Sequence, residues 1–522
     1  MADRPKFFQT TAIDYPNSRP HIGTAFEKIG ADVQARYRRM QGYDVFFLMG
    51  NDENTLKVAK KAAEVGMDVQ AYCNDMARQF REVWDALDIR YDAFVQTSEP
   101  RHHHCARTFI QKVYDNGFIR KDKFEGWYCN GCEAFKTEQE IKDAGGVCPN
   151  HKTPPVRRSE PCYFFEQSKF RDRLLNLYEE NPDFIQPESR RNEMIALLKD
   201  GLNDLNITRT GEQWGIRVPW DEEFTIYVWF DALLTYITGI GYGADETQFR
   251  KWWPCDMHFI GKDITRFHCA TWPAMLLAAG IEPPKQVFGH GFVYVKNEET
   301  GSVEKISKSL GNVVEPMEII TKFSSDAFRY YFMRECPFPG DGEFSWSRFA
   351  EVYNADLANN LGNLFSRVVT LVTKNYEGKL TGSGGNLPHV LGADRAGAIE
   401  QIRAHVESCQ YNQALEKLWR QVLDPANQHA DQQAPWKLVK TDKEAAAKVL
   451  FNLVEPLRVA SIVLKPFLPR SAETIYRSFN FAKPWEEVRY EDASAPAIQS
   501  DDLRILAQLE GGKVKPLFPR IG

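Results

Sequence analysis

Three stretches of the 522-residue chain carry side chains whose types and spacing suit chemistry. In His21-Ile22-Gly23-Thr24, an imidazole and a hydroxyl flank a glycine, whose missing side chain lets a ligand come close to the backbone. In Lys305-Ile306-Ser307-Lys308-Ser309, two ammonium groups share a short polar loop, which suits the charge of a polyphosphate as it leaves. The third is a doubled knuckle, Cys129-Asn130-Gly131-Cys132 followed by Cys148-Pro149-Asn150-His151. Three thiolates and an imidazole at those spacings close a tetrahedral Zn2+ shell with no position left for water, so the role is structural. Taken singly, the first two stretches also fit a surface-loop histidine and a solvated charge cluster. The knuckles are specific for zinc and silent on the reaction.

The surrounding elements must bring these groups together. Residues 7–13 read as a strand, broken by Pro16 and Pro20 in the following loop. Pro20 keeps Arg19 extended. Phe26, Ile29, Val33, Tyr37 and Met40 then recur every three or four positions, the stripe of an amphipathic helix that stops at Gly42. With a second strand over 45–49 this is a βαβ unit. It sets His21 at a strand-to-helix turn, where parallel sheets bind ligands and a helix N-terminus favours phosphate. Helices are expected over 56–65 and 69–87. The triplet His102-His103-His104 reads as a solvated helix start after Pro100, because consecutive helical residues point in different directions. Residues 171–201 read as helical and charged. The strand pattern resumes at 225–230 and 258–260, and Gly261-Lys262-Asp263 forms a second strand-to-helix turn before a helix that ends at Gly280. Val287-Phe288 and residues 292–295 lead into the lysine loop. Beyond Phe349 strand patterns vanish and helical periodicity dominates, with a Gly-rich connector at 381–385.

A chain of this length exceeds one core and implies several domains. Its 43% hydrophobic and 26% charged shares are those of a soluble globular protein. No signal peptide opens it and no run of 18 apolar residues interrupts it, so a cytoplasmic protein without a membrane partner is expected. A net charge of −6 excludes no function, since nucleic-acid binding needs only a local basic surface. The cysteines outside the knuckles are scattered and suit reduced thiols rather than a disulfide framework.

In this order the pieces resemble the class I aminoacyl-tRNA synthetases, and among them the methionyl-tRNA synthetase family, over essentially the whole chain. HIGT resembles the HIGH signature and KISKS the KMSKS signature, and the knuckles fall in the connective insertion, as in that family. YVWFDAL at 227–233, IGKDITRFH at 260–268 and QAPW at 433–436 resemble the methionine branch. The resemblance implies an α/β fold: a split Rossmann-like parallel-sheet catalytic domain with a zinc-bearing insertion, then an all-α helical-bundle anticodon-binding domain. The expected divisions are 1–115 and 225–294 for the two catalytic halves, 116–224 for the insertion, 295–348 for the KMSKS-loop region and 349–522 for the helical domain.

The resemblance also implies roles. ATP-dependent activation of L-methionine gives methionyl-adenylate, and the methionyl group then passes to the terminal adenosine of tRNA(Met), with Mg2+ accompanying ATP and Zn2+ held by Cys129, Cys132, Cys148 and His151. His21 and Thr24 are expected at the ATP phosphates, with Gly23 approaching the nucleotide. Lys305 and Lys308 match positions that neutralise pyrophosphate, and Gly261 and Asp263 match positions at the ribose. Asp52 matches the position that holds the methionine ammonium; a helix cap is its competing role. Ala12, Ile13, Tyr15, Trp229, Ala232, Tyr236, Ile264 and His268 match the methionine pocket, and Asn363, Arg367, Pro435 and Trp436 match anticodon-reading positions. Two departures stand out: Thr24 replaces the second histidine of HIGH, and Asn54-Thr55 replaces the family's His-Gly after the Asp-Glu pair. The chain ends at Gly522 without an appended tRNA-binding domain, so a monomer is expected. Competing readings are a synthetase for cysteine or a branched aliphatic amino acid, a small-molecule nucleotidyltransferase, and a catalytically silent tRNA-binding relative.

Overall fold

The computed structural model describes residues 4–129, 134–136, 138–149, 152–211, 214–307, 311–381, 395–495, 502–510 and 513–521. Cys132, His151 and Lys308 lie outside them, as does most of the Gly-rich connector.

Six parallel strands form the central sheet: β1 (Lys6–Thr11), β2 (Asp44–Asn51), β3 (Ala93–Gln96), β4 (Ile185–Gln186), β5 (Met257–Gly261) and β6 (Val287–His290). Their order is β3-β2-β1-β5-β6-β4. Phe7 to Thr11 of β1 are buried on both faces, as a strand inside a helix-covered parallel sheet must be. The chain steps outward from β1 to β3, then returns to β5 on the other side of β1. The direction of winding therefore reverses between β1 and β5, and the crevice beyond their carboxyl ends is where such sheets hold ligands.

The first crossover helix, α1 (Ile22–Met40), departs from the amphipathic expectation, since fifteen of its nineteen residues are buried. One face lies on the sheet and the other is covered by later chain. Phe338 packs so closely on Gly30 that a side chain there would come within 2.1 Å of its ring. Tyr411 donates to the Gly30 carbonyl at 2.8 Å.

Three strand and helix expectations are corrected. The stretch 171–201 is two helices, Arg171–Glu180 and Glu188–Asp200, separated by β4. Two residues between helices carry too little pattern to read as a strand. Thr225 and Ile226 belong to Asp221–Ile226, a strand of a separate three-stranded antiparallel sheet, and Val228–Asp231 is helical. The His-triplet helix, α2 (Pro100–Asp115), does not begin solvated throughout: His102 is fully buried.

The connective segment is an antiparallel sheet built on the long ladder between Ile119–Cys129 and Val156–Phe165. Beyond the sheet domain come α3 (Ser325–Glu335), α4 (Asn363–Tyr376), α5 (Pro435–Thr441) and α6 (Lys443–Leu464). Two short antiparallel ladders fringe this helical region, Lys379–Thr381 with Asp502–Arg504 and Leu509–Glu510 with Lys513–Val514.

Arg329 on α3 ties the regions together. Its fully buried guanidinium pairs with Asp32 of α1 at 2.7 Å and donates to the Pro466 and Phe467 carbonyls after α6, both at 2.8 Å. Asp32 also pairs with Arg36 at 2.7 Å and accepts the Arg90 backbone N–H at 2.9 Å, so its carboxyl stays below the usual range despite burial. Removing one partner of such a group leaves buried charge and carbonyls uncompensated. Arg329→Met is expected to destabilise the chain by about 3–5 kcal/mol, read from its urea-unfolding midpoint; a loss below about 1 kcal/mol would mean that water replaces the guanidinium.

Candidate active site

The loop after β1 is held by one ammonium group. Lys28 of α1 is fully buried and donates to the Ala12 carbonyl at 2.7 Å, to the Asp14 carboxylate at 3.2 Å and to Glu27 at 2.6 Å. Glu27 in turn meets His290 Nε2 at 2.8 Å, and His290 Nδ1 donates to the Gly291 carbonyl at 2.7 Å. Burial pushes the Asp14 carboxyl up to about 7, with Lys28 opposing the shift. This network joins the ends of β1 and β6 to α1. None of Glu27, Lys28 and His290 stood out in the sequence: Glu27 and Lys28, inside a helical stripe, read as its solvated face, and His290 ends a short strand with no motif around it.

His21 caps α1, its Nδ1 accepting the Thr24 backbone N–H at 3.2 Å, which puts the ring proton on Nε2. The Thr24 hydroxyl lies 3.4 Å from the same nitrogen. The Ile22 N–H is taken by the Val314 carbonyl at 3.1 Å, and the Gly23 N–H has no partner among the described residues. A side chain at Gly23 would lie 3.0 Å from the His21 ring and 3.3 Å from Ile306 Cδ1. The histidine turn and Ile306, at the start of the lysine loop, therefore face one another across a space that glycine keeps open. Lys305 ends a hairpin whose strands are Val293–Lys296 and Val303–Lys305, with its ammonium 5.7 Å from the Phe292 ring centre. The same ring borders Gly261, over which the Asp263 carboxylate folds. Gly261, Asp263, Lys305, Gly23 and His21 thus border one cleft beyond β1 and β5.

The residues matched to methionine lie just past the carboxyl ends of β1 and β2 and in the helical stretches 228–238 and 262–271. Ala12 continues the β1 ladder by donating to the Phe259 carbonyl at 2.9 Å, and the Ile13 side chain lies against Gly50. Trp229 stacks face to face on Phe267 with centroids 3.9 Å apart, a partner the sequence did not single out. Tyr236 is buried, and its hydroxyl is 2.7 Å from His268 Nε2, while His268 Nδ1 faces the Ile264 carbonyl at 3.1 Å. A carbonyl only accepts, so Nδ1 carries the proton and Nε2 receives the tyrosine hydroxyl. Burial holds the His268 pKa down at about 4, so the ring is neutral at physiological pH. Ala232 is buried one turn before Tyr236.

Asp52 follows β2 and is 3% exposed. It accepts a hydrogen bond from Tyr15, and its Oδ1 has no hydrogen-bond partner among the described residues. Burial and the neighbouring carboxylates of Asp231 and Glu53 push its pKa well up. It caps no helix: Thr55 is the cap of the helix Leu56–Glu64. A buried carboxylate in that electrostatic position suits a cationic ligand group. The Asn51 side-chain amide beside it is likewise buried and unpartnered among the described residues. Behind Asp52, Asn54 donates to Asp231 Oδ2 at 2.8 Å and to the Thr97 carbonyl at 2.9 Å. His102 Nε2 meets Asp231 Oδ1 at 2.7 Å, and its Nδ1 lies 2.9 Å from the Thr238 hydroxyl, which donates to the Leu234 carbonyl. No sequence signal separates His102 from His103 and His104; only the helix's rotation does.

On the helical domain, Arg367 lies over the Trp436 ring at 4.8 Å and pairs with Asp431 at 3.0 Å. Asn363 is one turn earlier on α4, and Pro435 is buried at the start of α5. In the insertion, Cys129 and Cys148 are buried, and the chain curls tightly at Cys148, which donates to the Thr153 carbonyl and accepts from the Lys152 N–H. No group of three or more potential metal ligands occurs among the described residues.

Known proteins share this sequence pattern and fold. The family described as "tRNA synthetases class I (M)" matches residues 7–154 and 147–369, and the "Anticodon binding domain of methionyl tRNA ligase" matches 380–500. The fold and its cleft are those of a class I aminoacyl-tRNA synthetase. The methionine–tRNA ligase of Caldanaerobacter subterraneus subsp. tengcongensis is 40% identical over 93% of this chain and 76% of its own. That of Thermosynechococcus vestitus is 41% identical over 95% and 93%. Mycobacterium tuberculosis methionyl-tRNA synthetase in complex with methionyl-adenylate superposes with a TM-score of 0.84 at 39% identity, covering 91% of this chain and 94% of that one. The chain belongs to the methionyl-tRNA synthetase family.

His268 gives the site a signature in acid. Its folded pKa lies below the ordinary 6.5, so its contribution to stability is complete above pH 6.5 and is lost as the pH falls through about 4. Between those limits the wild type is expected to lose about 3 kcal/mol more than His268→Gln in urea titrations. Equal losses would show that the ring takes up its proton without cost in the fold.

Proposed function

We propose that the chain is a methionine–tRNA ligase that activates L-methionine with ATP and charges tRNA(Met) for translation. The approach of Ile306 to the open side of Gly23 supports this reading, because the imidazole turn and the start of the lysine loop then face one another. In the first step a methionine carboxylate oxygen attacks the α-phosphorus, the bond to the β-phosphate oxygen breaks, and pyrophosphate leaves. In the second, a ribose hydroxyl of the terminal adenosine attacks the activated carbonyl and AMP leaves. No protein nucleophile is needed. Rate comes from holding the reactants in line and from stabilising phosphate charge. The Gly23 N–H at the helix N-terminus, His21 Nε2–H and the Thr24 hydroxyl meet the phosphates, and Lys305 and Lys308 neutralise the departing pyrophosphate. Asp263 accepts from the ribose hydroxyls beside Gly261. Asp52, aided by Tyr15, holds the methionine ammonium. Ala12, Ile13, Trp229, Ala232, Tyr236, Ile264 and His268 enclose the thioether, to which aromatic walls contribute about 0.3–1.5 kcal/mol.

Mg2+ would enter with ATP, bound chiefly through its phosphates, and supply charge neutralisation there. The buried thiols of Cys129 and Cys148, one ending a long strand and one in a tight turn, fit a structural Zn2+ completed by Cys132 and His151. Asn363, Arg367, Pro435 and Trp436 read the anticodon, where the indole and guanidinium offer planes on which unpaired bases stack. The proposed divisions are those expected above, in a cytoplasmic monomer. Among the described residues no helix is long and apolar enough to cross a membrane.

An ATP–pyrophosphate exchange panel across amino acids tests the assignment. Methionine alone should support full exchange without tRNA; exchange with cysteine or a branched aliphatic amino acid instead would replace the substrate. Homocysteine lacks one methyl group, and such a difference discriminates by only about 1–3 kcal/mol. Homocysteine-dependent ATP consumption with cyclisation to the thiolactone is therefore expected, and its absence would count against this pocket. Thr24→His should retain or raise methionine-dependent exchange, since both side chains can donate to a phosphate; abolition would show that the phosphates lie elsewhere.

A further inference from the structure

At the amino ends of the strands, on the edge of the sheet opposite the catalytic cleft, the sheet and helical domains flank a half-open cavity of about 720 Å³. Its volume falls within the range of small-molecule sites, about 300–1,000 Å³. Arg4 precedes β1, Arg36 lies near the end of α1, and Arg90 precedes β3; Lys465 and Arg489 face them from the helical domain.

Several of the lining charges are already matched. Arg36 pairs with Asp32 and Asp88, Arg39 with Asp92, and Lys483 with Asp492. The carboxylates of Glu473 and Glu486 both engage Arg477. Arg4, Arg90, Arg489 and Lys465 have no carboxylate within 4 Å among the described residues. Opposing them in the lining is Glu487, itself unpaired among the described residues. Lys465 is the most constrained of the four. Its ammonium donates to the Trp485 carbonyl at 2.5 Å and the Val488 carbonyl at 3.1 Å and lies 4.3 Å over the Trp485 ring, so one N–H remains for a ligand. Carbonyls and a ring orient the ammonium without neutralising it. Burial pushes its pKa down to about 8; Glu486 and Glu473 oppose this and Arg90 adds to it. Across the cavity, the Arg489 guanidinium lies on bare backbone at Gly42, where a side chain would come within 3.3 Å of it.

We propose that this cavity is a second anion site that binds a small oligophosphate and bridges the sheet domain to the helical domain. Unmatched cations from both domains line one half-open pocket around the partly buried Lys465, a shape that suits a compact ligand better than a nucleic-acid backbone. Guanidinium groups grip phosphate oxygens bidentately, and the ammonium supplies a point charge. The site grips α1 at the end remote from His21, about 28 Å along a helix of this length.

Inorganic tripolyphosphate is the probe, titrated calorimetrically into the full chain with a non-hydrolysable methionyl-adenylate analogue saturating the catalytic cleft. One equivalent is expected to bind, to raise the melting temperature, and to bind equally to Lys305→Ala. Arg90→Gln/Arg489→Gln changes two exposed side chains, so the fold and ATP–pyrophosphate exchange should hold while probe affinity falls at least about tenfold. Unchanged affinity in the double variant, no binding beyond the catalytic cleft, or loss on Lys305→Ala would overturn the proposal. So would weakened tRNA binding in the double variant with tripolyphosphate binding intact, which would assign the cations to RNA.

Discussion

The arrangement depends on a single buried ammonium. Lys28 has three N–H groups and three acceptors: the Ala12 carbonyl, Asp14 and Glu27. A cation so far from water is tolerable only because opposite charge and hydrogen bonds surround it on every side. The geometry is then forced. Ala12 and Asp14 fix the path of the chain as it leaves β1, and Glu27 passes the constraint to His290 at the end of β6. The switch point of the sheet, the loop carrying Ile13 and Tyr15 and the helix capped by His21 are therefore set by one cluster. A cleft assembled from four distant segments needs such a fastening, since each loop alone has many conformations of similar energy.

The second constraint is the burial of α1. A helix exposed on one side could shift against the sheet, but this one is enclosed. Gly30 admits Phe338, Tyr411 bonds the Gly30 carbonyl, and Arg329 ties Asp32 to the backbone after α6. The imidazole turn, the sheet and the helical domain are thus packed on one element. Regions that must communicate over tens of ångströms do so most directly through packed elements of this kind, rather than through flexible connections.

Much of this was legible in the sequence. The βαβ unit, the turn at Gly261, the strand-like 287–288 and 292–295 before the lysines and the helical second half each had a period or a punctuating glycine or proline that physics ties to structure. What escaped had no such mark. β4 is two residues long, so no alternation could develop. Val228–Asp231 is apolar enough to pass for a strand, yet it opens a run of short helical turns that reaches Thr238. Lys28, Asp32 and Gln34 looked like the wet side of α1 because nothing local reveals that a distant chain segment covers them. His102 is buried while its neighbour His104 is exposed, a difference set by rotation about the helix axis and invisible in three identical letters. Local pattern reports what a segment prefers; burial by remote chain is a tertiary fact.

The departures at Thr24 and at Asn54-Thr55 are instructive for the same reason. Both looked disruptive as letters, and both are accommodated by hydrogen bonds. Thr24 offers its backbone N–H to His21, so the ring is aimed by the main chain, independent of the side chain at that position. Asn54 bridges the Asp231 carboxylate and the Thr97 carbonyl with one amide group, and Thr55 caps the next helix by accepting from Val58 at 3.2 Å. The turn that presents Asp52 is therefore anchored on both sides, with His102 holding the far oxygen of Asp231. A neutral amide at position 54 contacts Asp231 without adding charge next to Asp52. The Asp52 Oδ1 beside it has no hydrogen-bond partner among the described residues, and a cation at position 54 would have offered it one.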